Sequence, residues 1–297
     1  MSVTTWREAR YVPRIVRCPA GRFSVLKTTC LLAAMLPAFL LALGWAQQDL
    51  GARPINYAIH QTGIWAIRFL LVTLAVTPTR AVCDLPRVVM LRRLLGVTAG
   101  CYALGHLALY IYDQDLNPLR VLSEITHRFY LMVGCVALVG MTALTVTSTD
   151  YWQRTLGRHW RKLHKAIYFI APLAIFHYFL QSKADISNAV FAAGVFFWLI
   201  IWRQTPRQYQ TWRSPVLAAG LLAIIATAVC EWLWYTLATG ISGRRVLLAN
   251  FTFTHELRPA IWIAIFSVAV MAVALARPLW SRKRVQVRAR ARALATE

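Results

Sequence analysis

The amino-acid sequence predicts an all-α integral membrane protein, folded as a helical bundle of about eight transmembrane helices. Of its 297 residues, 58% are hydrophobic and only 15% are charged, well below the roughly 25% charged residues of soluble domains. Long apolar runs recur along the chain, and the basic residues between them alternate in number from one connection to the next. This combination fits neither a soluble domain nor a disordered chain.

Eight apolar runs make up most of the chain, and most of them approach the roughly 20 residues that a helix needs to cross hydrocarbon. The runs are Val25–Gln47, Gly63–Thr77, Leu94–Tyr112, Phe129–Thr147, Ala166–Leu180, Ile186–Trp202, Val216–Ala238 and Pro259–Ala276. The chain left between them is too short for a soluble domain of ~100 residues, so we expect one integral domain. Basic residues precede the first run, but it is longer than the roughly 7–15-residue core of an export signal, which predicts a retained anchor.

The placement of the basic residues predicts the orientation of the spans. Twenty-five of the 33 Lys and Arg residues fall in the N-terminal segment, alternate connections and the C-terminal tail, whereas seven fall on the opposite side. By the positive-inside rule, both termini face the cytoplasm. The formal net charge of +22 therefore reflects topology and not nucleic-acid binding, and the tail sequence RKRVQVRARARA also suits contact with anionic membrane lipid.

Acidic residues are nearly absent from the predicted spans, and Glu231 in the seventh run is the exception. Proton-coupled transporters and cation channels usually need intramembrane carboxylates or rings of charge. The composition of the spans therefore counts against both classes. For Glu231 itself, a structural role and a functional role both stay open.

Histidine is the polar residue type that concentrates in the spans. His106 lies in the outer half of the third run and His177 near the outer end of the fifth, and both runs cross in the same direction. A single intramembrane histidine often forms only an interhelical hydrogen bond. Two imidazoles at one depth on neighbouring helices form the clamp that holds a b-type haem in a helical bundle. His106 and His177 are therefore the predicted axial ligands of haem b.

His164 lies at the inner end of the fifth run, 13 residues from His177, which is about 20 Å along a regular helix. The two rings would diverge by about 220° around the helix unless it bends, and Pro172 between them is a residue that kinks helices. His164 is a candidate ligand of a second haem, a flavin contact or a polar contact between helices. Its own ligand partner is not evident, because Arg92 and Arg93 occupy the matching level of the third run.

Two absent motifs narrow the chemistry. No C-x-x-C-H occurs, so we expect a haem to be held by side-chain ligation alone. No G-x-G-x-x-G follows a strand, and no nucleotide-binding domain follows the last run. We therefore expect the chain to need a quinol or a separate flavin reductase as its electron donor, and an acceptor on the outer side.

Several motifs in matching order resemble one known family. They are IHQTG, LLVTLAVTP, LRRLLG, LGHLALY, TSTDYWQRTLGRHWRKLHKAIY and IFHYF. Over roughly Leu26 to Arg203 the chain is similar to the MsrQ (YedZ) family, the haem-binding membrane subunits of the periplasmic methionine sulfoxide reductase system, within the ferric-reductase-like transmembrane superfamily.

The resemblance implies cofactors, partners and a location. It implies that His106, His164 and His177 are haem-ligand candidates and that FMN is an associated cofactor. It further implies that electrons pass from the quinone pool, in the bacterial inner membrane, to a periplasmic molybdopterin-containing methionine sulfoxide reductase. None of these residues is expected to be catalytic in its own right.

The resemblance also divides the chain into four segments. A basic cytoplasmic segment over residues 1–24 precedes a haem-binding, ferric-reductase-like core of six spans over residues 25–203. A two-helix extension over residues 204–276, beyond what the six-span core needs, is followed by a basic cytoplasmic tail over residues 277–297.

Three hypotheses for the function follow. The first is a haem b electron-transfer subunit that passes quinol electrons to the periplasmic reductase. The second is a self-sufficient membrane oxidoreductase of the cytochrome b type that reduces ferric iron or oxygen at an outer haem. The third is a haem-free transporter or assembly factor that uses histidine as a proton relay. A visible absorption spectrum separates the third from the others, and assays with and without the partner separate the first two.

Overall fold

The structure, a computed structural model, describes residues 24–182, 185–210, 212–249 and 257–293, with the side chains of the last stretch described up to residue 276. The basic N-terminal segment predicted over residues 1–24 lies outside these ranges apart from Ser24. The side chains of the predicted tail over residues 277–297 lie outside them as well.

Helices make up nearly all of the described chain. They are α1 (Val25–Ala46), α2 (Pro54–Cys83), α3 (Arg92–Asp113), α4 (Pro118–His127), α5 (Phe129–Val146), α6 (Asp150–Leu156), α7 (Arg158–Leu163), α8 (Ile167–Gln181), α9 (Ser187–Gln204), α10 (Arg213–Thr239), α11 (Gly243–Ala249) and α12 (Pro259–Ala293). Within the described ranges, seven helical segments are long and apolar enough to cross a membrane. The prediction of an all-α integral membrane protein is confirmed.

The sixth predicted run also forms a helix, α9, although it is not among those seven. Its 18 residues begin with Ser187 and Asn188 and end with Arg203 and Gln204, and these polar ends lower its mean hydropathy. The middle of α9 is nevertheless enclosed, since Ala193 is 4% and Phe196 8% exposed. The position of α9 inside the bundle, and not its hydropathy, is therefore what indicates that it spans the membrane.

Helix α2 is longer than the apolar run that predicted it. Pro54 begins the helix at a position where its missing N–H is not needed, and Asp84 ends it in the left-handed conformation, with φ of 52°. The helix thus gains polar turns that hydropathy alone does not assign to a span, including Asn56 and His60. These turns bring polar groups to the end of the bundle near α4, called here the α4 end.

Four helices form the group that positions the predicted ligands. Helix α2 packs against α3, α3 against α5, α5 against α8, and α8 against α2. In such a ring of four, α3 and α8 lie diagonally across the centre, so side chains that point inward from them face each other. His106 belongs to α3 and His177 to α8.

The two C-terminal spans, α10 and α12, pack against α9 through small residues. A Cβ atom on Gly194 of α9 would lie 2.5 Å from the Thr227 Oγ1 of α10 and 2.6 Å from Ile263 of α12. Such close approach of backbones is typical of membrane helices, which gain van der Waals contact where side chains are small. The extension therefore packs directly on the sixth helix of the predicted core.

Helix α3 is also fixed to α1 by one phenol. Pro37 interrupts the backbone hydrogen bonds of α1, and the hydroxyl of Tyr102 takes a place in the gap. This hydroxyl donates to the carbonyl oxygen of Ala34 at 2.9 Å and accepts from the amide of Ala38 at 3.0 Å. Tyr102 precedes His106 by four residues, so the contact anchors the same helix that carries the predicted ligand.

Candidate functional site

The structure brings His106 and His177 together across the four-helix group. The centres of their imidazole rings are 6.4 Å apart, and the ring planes form an angle of 79°. His106 projects from the C-terminal half of α3 and His177 from the C-terminal part of α8. The pairing expected from equal depth on two neighbouring spans is thus present in the geometry.

Each ring is held by a backbone carbonyl from a third or fourth helix. The Nδ1–H of His106 donates to the carbonyl oxygen of Ile59 on α2 at 2.8 Å, and that of His177 donates to Tyr130 on α5 at 2.7 Å. A carbonyl oxygen only accepts, so each neutral ring carries its proton on Nδ1. Within the described residues, neither Nε2 atom has a hydrogen-bond partner, and both are free to ligate a metal.

Two glycines make room for the rings. A Cβ atom on Gly134 of α5 would lie 2.7 Å from both Nδ1 and Cε1 of His177. On Gly63 of α2 it would lie 3.1 Å from Nδ1 of His106. Since real Cβ atoms rarely come this close, each histidine can lie flat against its neighbouring helix only where that helix carries glycine.

The spacing of the rings fits a bis-imidazole iron site. Two metal–nitrogen bonds of about 2.0–2.1 Å, as in zinc–imidazole sites, and about 1.1 Å from each nitrogen to its ring centre give about 6.2–6.4 Å between the centres of two rings that both point at the metal. The observed 6.4 Å agrees with this value. The described residues contain no group of three or more His, Cys, Asp or Glu that could hold a metal ion, so the donor set suits an iron whose other ligands come from a porphyrin.

A polar cavity of about 620 Å³ opens at the α4 end, directly above the histidine pair. Its lining includes Ile59 and Tyr130, the two residues whose carbonyls hold the rings. Arg53, His60, Arg120 and Arg128 line it as well. A hydrogen bond to the Tyr130 hydroxyl, with Glu124 close by, raises the pKa of Arg128 above its ordinary value, so this guanidinium stays charged.

The structure keeps His164 apart from the other two histidines. His164 begins a 3-10 turn, His164–Ala166, that separates α7 from α8. Its Nδ1 donates to the carbonyl oxygen of Trp160 at 3.1 Å, and the Trp160 indole stacks on its ring with centres 3.9 Å apart. Its Nε2 lies 3.3 Å from the hydroxyl of Ser148, so unlike the other two rings it has a neighbour at both nitrogens.

The chain between His164 and His177 departs from regular α-helical hydrogen bonding at the 3-10 turn His164–Ala166. Pro172, where the sequence indicated a kink, lies inside α8. The two arginines at the matching level of α3 are engaged elsewhere: Arg92 donates to the hydroxyl of Thr77, and Arg93 pairs with Asp150. The sequence indicated that no histidine of α3 faces His164, and the structure agrees.

Sequence reasoning found the two facing histidines but not the residues that support them. Gly63, Gly134, Ile59 and Tyr130 were not singled out. An isolated glycine inside an apolar run is a signal for close backbone approach, and it would have pointed to Gly63 in the IHQTG motif and to Gly134. The two carbonyl acceptors carry no side-chain signal, because any residue presents the same group.

Comparison with known proteins gives a consistent result. A family model described as "Ferric reductase like transmembrane component" matches residues 62–175, a range that includes His106 and His164 and ends just before His177. The chain is 38% identical, over 190 residues, to "Protein-methionine-sulfoxide reductase heme-binding subunit MsrQ" of Xanthomonas euvesicatoria pv. vesicatoria, covering 61% of this chain and 87% of that relative. No solved structure matches the chain at a significant level.

Two further relatives carry the same name. The protein of Xanthomonas oryzae pv. oryzae is 39% identical over 189 residues, which are 60% of this chain and 85% of that relative. The protein of Caulobacter vibrioides is 36% identical over 174 residues, which are 58% of this chain and 83% of that relative. Each relative is matched over most of its length. The chain therefore belongs to the MsrQ family.

Proposed function

We propose that this protein is a haem b electron-transfer membrane subunit. It passes electrons from the quinone pool across the bacterial inner membrane to a periplasmic, molybdopterin-containing methionine sulfoxide reductase that repairs oxidised proteins. The observation that carries the proposal is the placement of His106 and His177, with ring centres 6.4 Å apart and both Nε2 atoms free. The names of the MsrQ relatives, heme-binding subunits of a protein-methionine-sulfoxide reductase, support the cofactor and the partner.

The residues of the chain would bind and tune the cofactor. Haem b, when bound, supplies reversible one-electron chemistry. His106 and His177 would ligate through Nε2, while the carbonyls of Ile59 and Tyr130 hold each ring at Nδ1 and increase its basicity as a ligand. The substrate chemistry would belong to the partner.

The cavity at the α4 end would be the outer mouth of this site. With both termini in the cytoplasm, as the positive-inside rule indicates, the α4 end faces the periplasm. Arg53 and Arg128 line the cavity and are suited to carboxylates, such as the two propionates of a haem. Its opening above the histidine pair would let a periplasmic partner approach the edge of the cofactor.

The opposite end of the bundle offers a second ligand position. We propose His164 as a ligand of a second haem on the cytoplasmic side, where rotation of Ser148 away from its Nε2 would open the coordination direction. We also propose FMN as a cofactor, and its support is the family resemblance. Anionic lipid would contact the basic segments on this side.

The decisive experiment measures electron transfer in the purified protein. A reduced-minus-oxidised spectrum with haem stoichiometry should show low-spin haem b, a quinol should reduce it, and NADPH without an added reductase should not. Reoxidation should require the partner together with methionine sulfoxide. A protein without haem would favour the transporter or assembly factor. Rapid reduction by NADPH, or fast reduction of ferric iron or oxygen without the partner, would favour a self-sufficient reductase.

A further inference from the structure

Arg68 lies in the middle of the 30-residue helix α2. Helix α2 runs from Pro54 to Cys83, so Arg68 is about 21 Å from its first residue and about as far from its last. The hydrocarbon core of a bilayer is about 30 Å thick, which places the Cα of Arg68 at membrane depth, with the guanidinium directed towards Trp65. A charged side chain there is costly to bury, and such residues usually mark a functional site.

The surroundings of Arg68 are aromatic and not acidic. Its guanidinium carbon lies 4.7 Å from the centre of the Trp65 ring, in a cation–π contact. Arg68 is exposed at the surface of the bundle, and Val72, one turn further along the same stripe, is 48% exposed. Within residues 24–182, 185–210, 212–249 and 257–276, no carboxylate forms an ion pair with it. The guanidinium therefore presents N–H donors towards the lipid.

Tyr178 connects this position to the histidine pair. It follows His177 directly in α8, and it is half-buried. Its hydroxyl lies within electrostatic range of both Arg68 and Asp185. Asp185 stands before the first turn of α9, where its carboxylate accepts the amide hydrogen of Ser187 at 2.8 Å, and it is exposed at the α4 end of the bundle. A polar path thus leads from the middle of α2 to the outer surface.

We propose that Arg68, Trp65 and Tyr178 bind the head group of a quinol that enters from the lipid. The proposal rests on the proposed function, which requires a lipid-soluble donor, and it names the place where that donor binds. A quinol or quinone carries two ring oxygens, which match a guanidinium and a phenol as hydrogen-bond partners, and a flat ring that packs on an indole. Its isoprenoid tail would stay in the hydrocarbon.

The depth of the site selects this ligand over a phospholipid. Phosphate groups lie at the membrane surface, whereas Arg68 is near the middle of a helix of 30 residues. A quinol is an amphiphile that can carry its polar ring into the hydrocarbon, so it suits an electron-donor site at this depth. Oxidation of one quinol to quinone releases two electrons, which pass towards the His106–His177 site, and two protons, which can leave through the exposed carboxylate of Asp185.

The test compares Arg68→Ala with Val72→Ala in the complete, haem-loaded protein. Val72 lies on the same lipid-facing stripe and serves as the matched control. Stopped-flow reduction by a short-chain quinol should slow at least tenfold in Arg68→Ala and stay unchanged in Val72→Ala. Haem content and the spectrum after reduction with dithionite should be equal in both. Tyr178→Phe, which keeps the ring and loses the hydroxyl, should slow quinol reduction several-fold.

A second measurement does not depend on electron transfer. Photolabelling of the wild type with an azidoquinone should attach the label to the part of α2 near Trp65 and Arg68, and Arg68→Ala should abolish that label. Unchanged quinol reduction in Arg68→Ala, or a label attached to another helix, would overturn the site while leaving the proposed function intact. A wild-type haem that no quinol reduces would overturn both.

Discussion

The imidazole rings of His106 and His177 face each other from diagonal helices, with centres 6.4 Å apart and planes at 79°. The Nδ1–H of each ring is bonded to a backbone carbonyl of a neighbouring helix, and each Nε2 is left free. Since these contacts come from four different helices, the geometry of the pair depends on the packing of the whole four-helix group.

Replacement of either histidine should remove low-spin ligation. His106→Ala or His177→Ala would remove one of the two imidazoles proposed to hold the haem, so we expect loss of haem or a high-spin spectrum, and loss of electron delivery to the partner. The control is His127→Ala, because His127 is exposed on α4 and its Nδ1 donates to its own helix at Ser123. Full haem content with an unchanged low-spin spectrum in both variants would show that the pair only forms interhelical contacts.

Addition of one methyl group beside His177 should disturb the site. In Gly134→Ala the new Cβ would lie 2.7 Å from the ring, so the ring must move off the Tyr130 carbonyl. Loss of such support for a ligand typically weakens metal binding by about 10–100-fold. Haem titration of the apoprotein measures the change.

The control for this prediction is the glycine next to His106. A Cβ on Gly105 meets nothing within 4 Å, so Gly105→Ala should bind haem normally and stabilise α3 by up to about 1 kcal/mol. Gly63→Ala should fall between the two, because its new Cβ would lie 3.1 Å from His106. Equal haem affinity in the Gly134 and Gly105 variants would refute a steric role for the glycine.

Replacement of His164 should affect the proposed second haem site and leave the His106–His177 site unchanged. If His164 ligates a second haem as proposed, His164→Ala lowers the haem content per protein while the low-spin signal of the His106–His177 site stays. Electron paramagnetic resonance together with pyridine haemochrome quantification measures both quantities. An unchanged haem content would show that His164 serves only its contacts with Ser148 and Trp160. Ser148→Ala should then change the stability of the protein by an amount similar to that of His164→Ala.

Loss of the buried ion pair should destabilise the C-terminal helices. Glu231 on α10 is 1% exposed and accepts a hydrogen bond from Arg258 at 3.2 Å. Breaking a buried pair typically costs about 3–5 kcal/mol, and the partial exposure of Arg258 places Glu231→Ala near about 3 kcal/mol. The partly exposed pair of Glu124 and Arg128 is the control, and Glu124→Ala should cost less than about 1 kcal/mol. Denaturant unfolding in detergent would contradict the prediction if the two variants lost equal stability.

The proposed orientation of the spans can be measured directly. A reporter that is active only in the cytoplasm should be active when fused to the C-terminus, and a reporter that needs the periplasm should be inactive there. The physical reason is the excess of Lys and Arg on the side of both termini. The opposite pattern of activity would invert the proposed direction of electron transfer.

The sequence by itself determined the class of the protein and the depth of its histidines. Apolar runs of about 20 residues are a property of composition, and a helix rises by a fixed 1.5 Å per residue, so His106 and His177 come to similar depth in any arrangement of the spans. The sequence also indicated that no histidine of α3 stands opposite His164.

Tertiary structure decided which groups meet at that depth. Whether two rings face each other depends on the rotation of each helix about its axis, and in a uniformly apolar span no amphipathic stripe records that rotation. Gly63 and Gly134 became recognisable only once the rings lay against them. Packing likewise placed α9, whose helix is not among the seven apolar enough to be assigned as spans, inside the bundle, where its neighbours enclose Trp198 and Trp202.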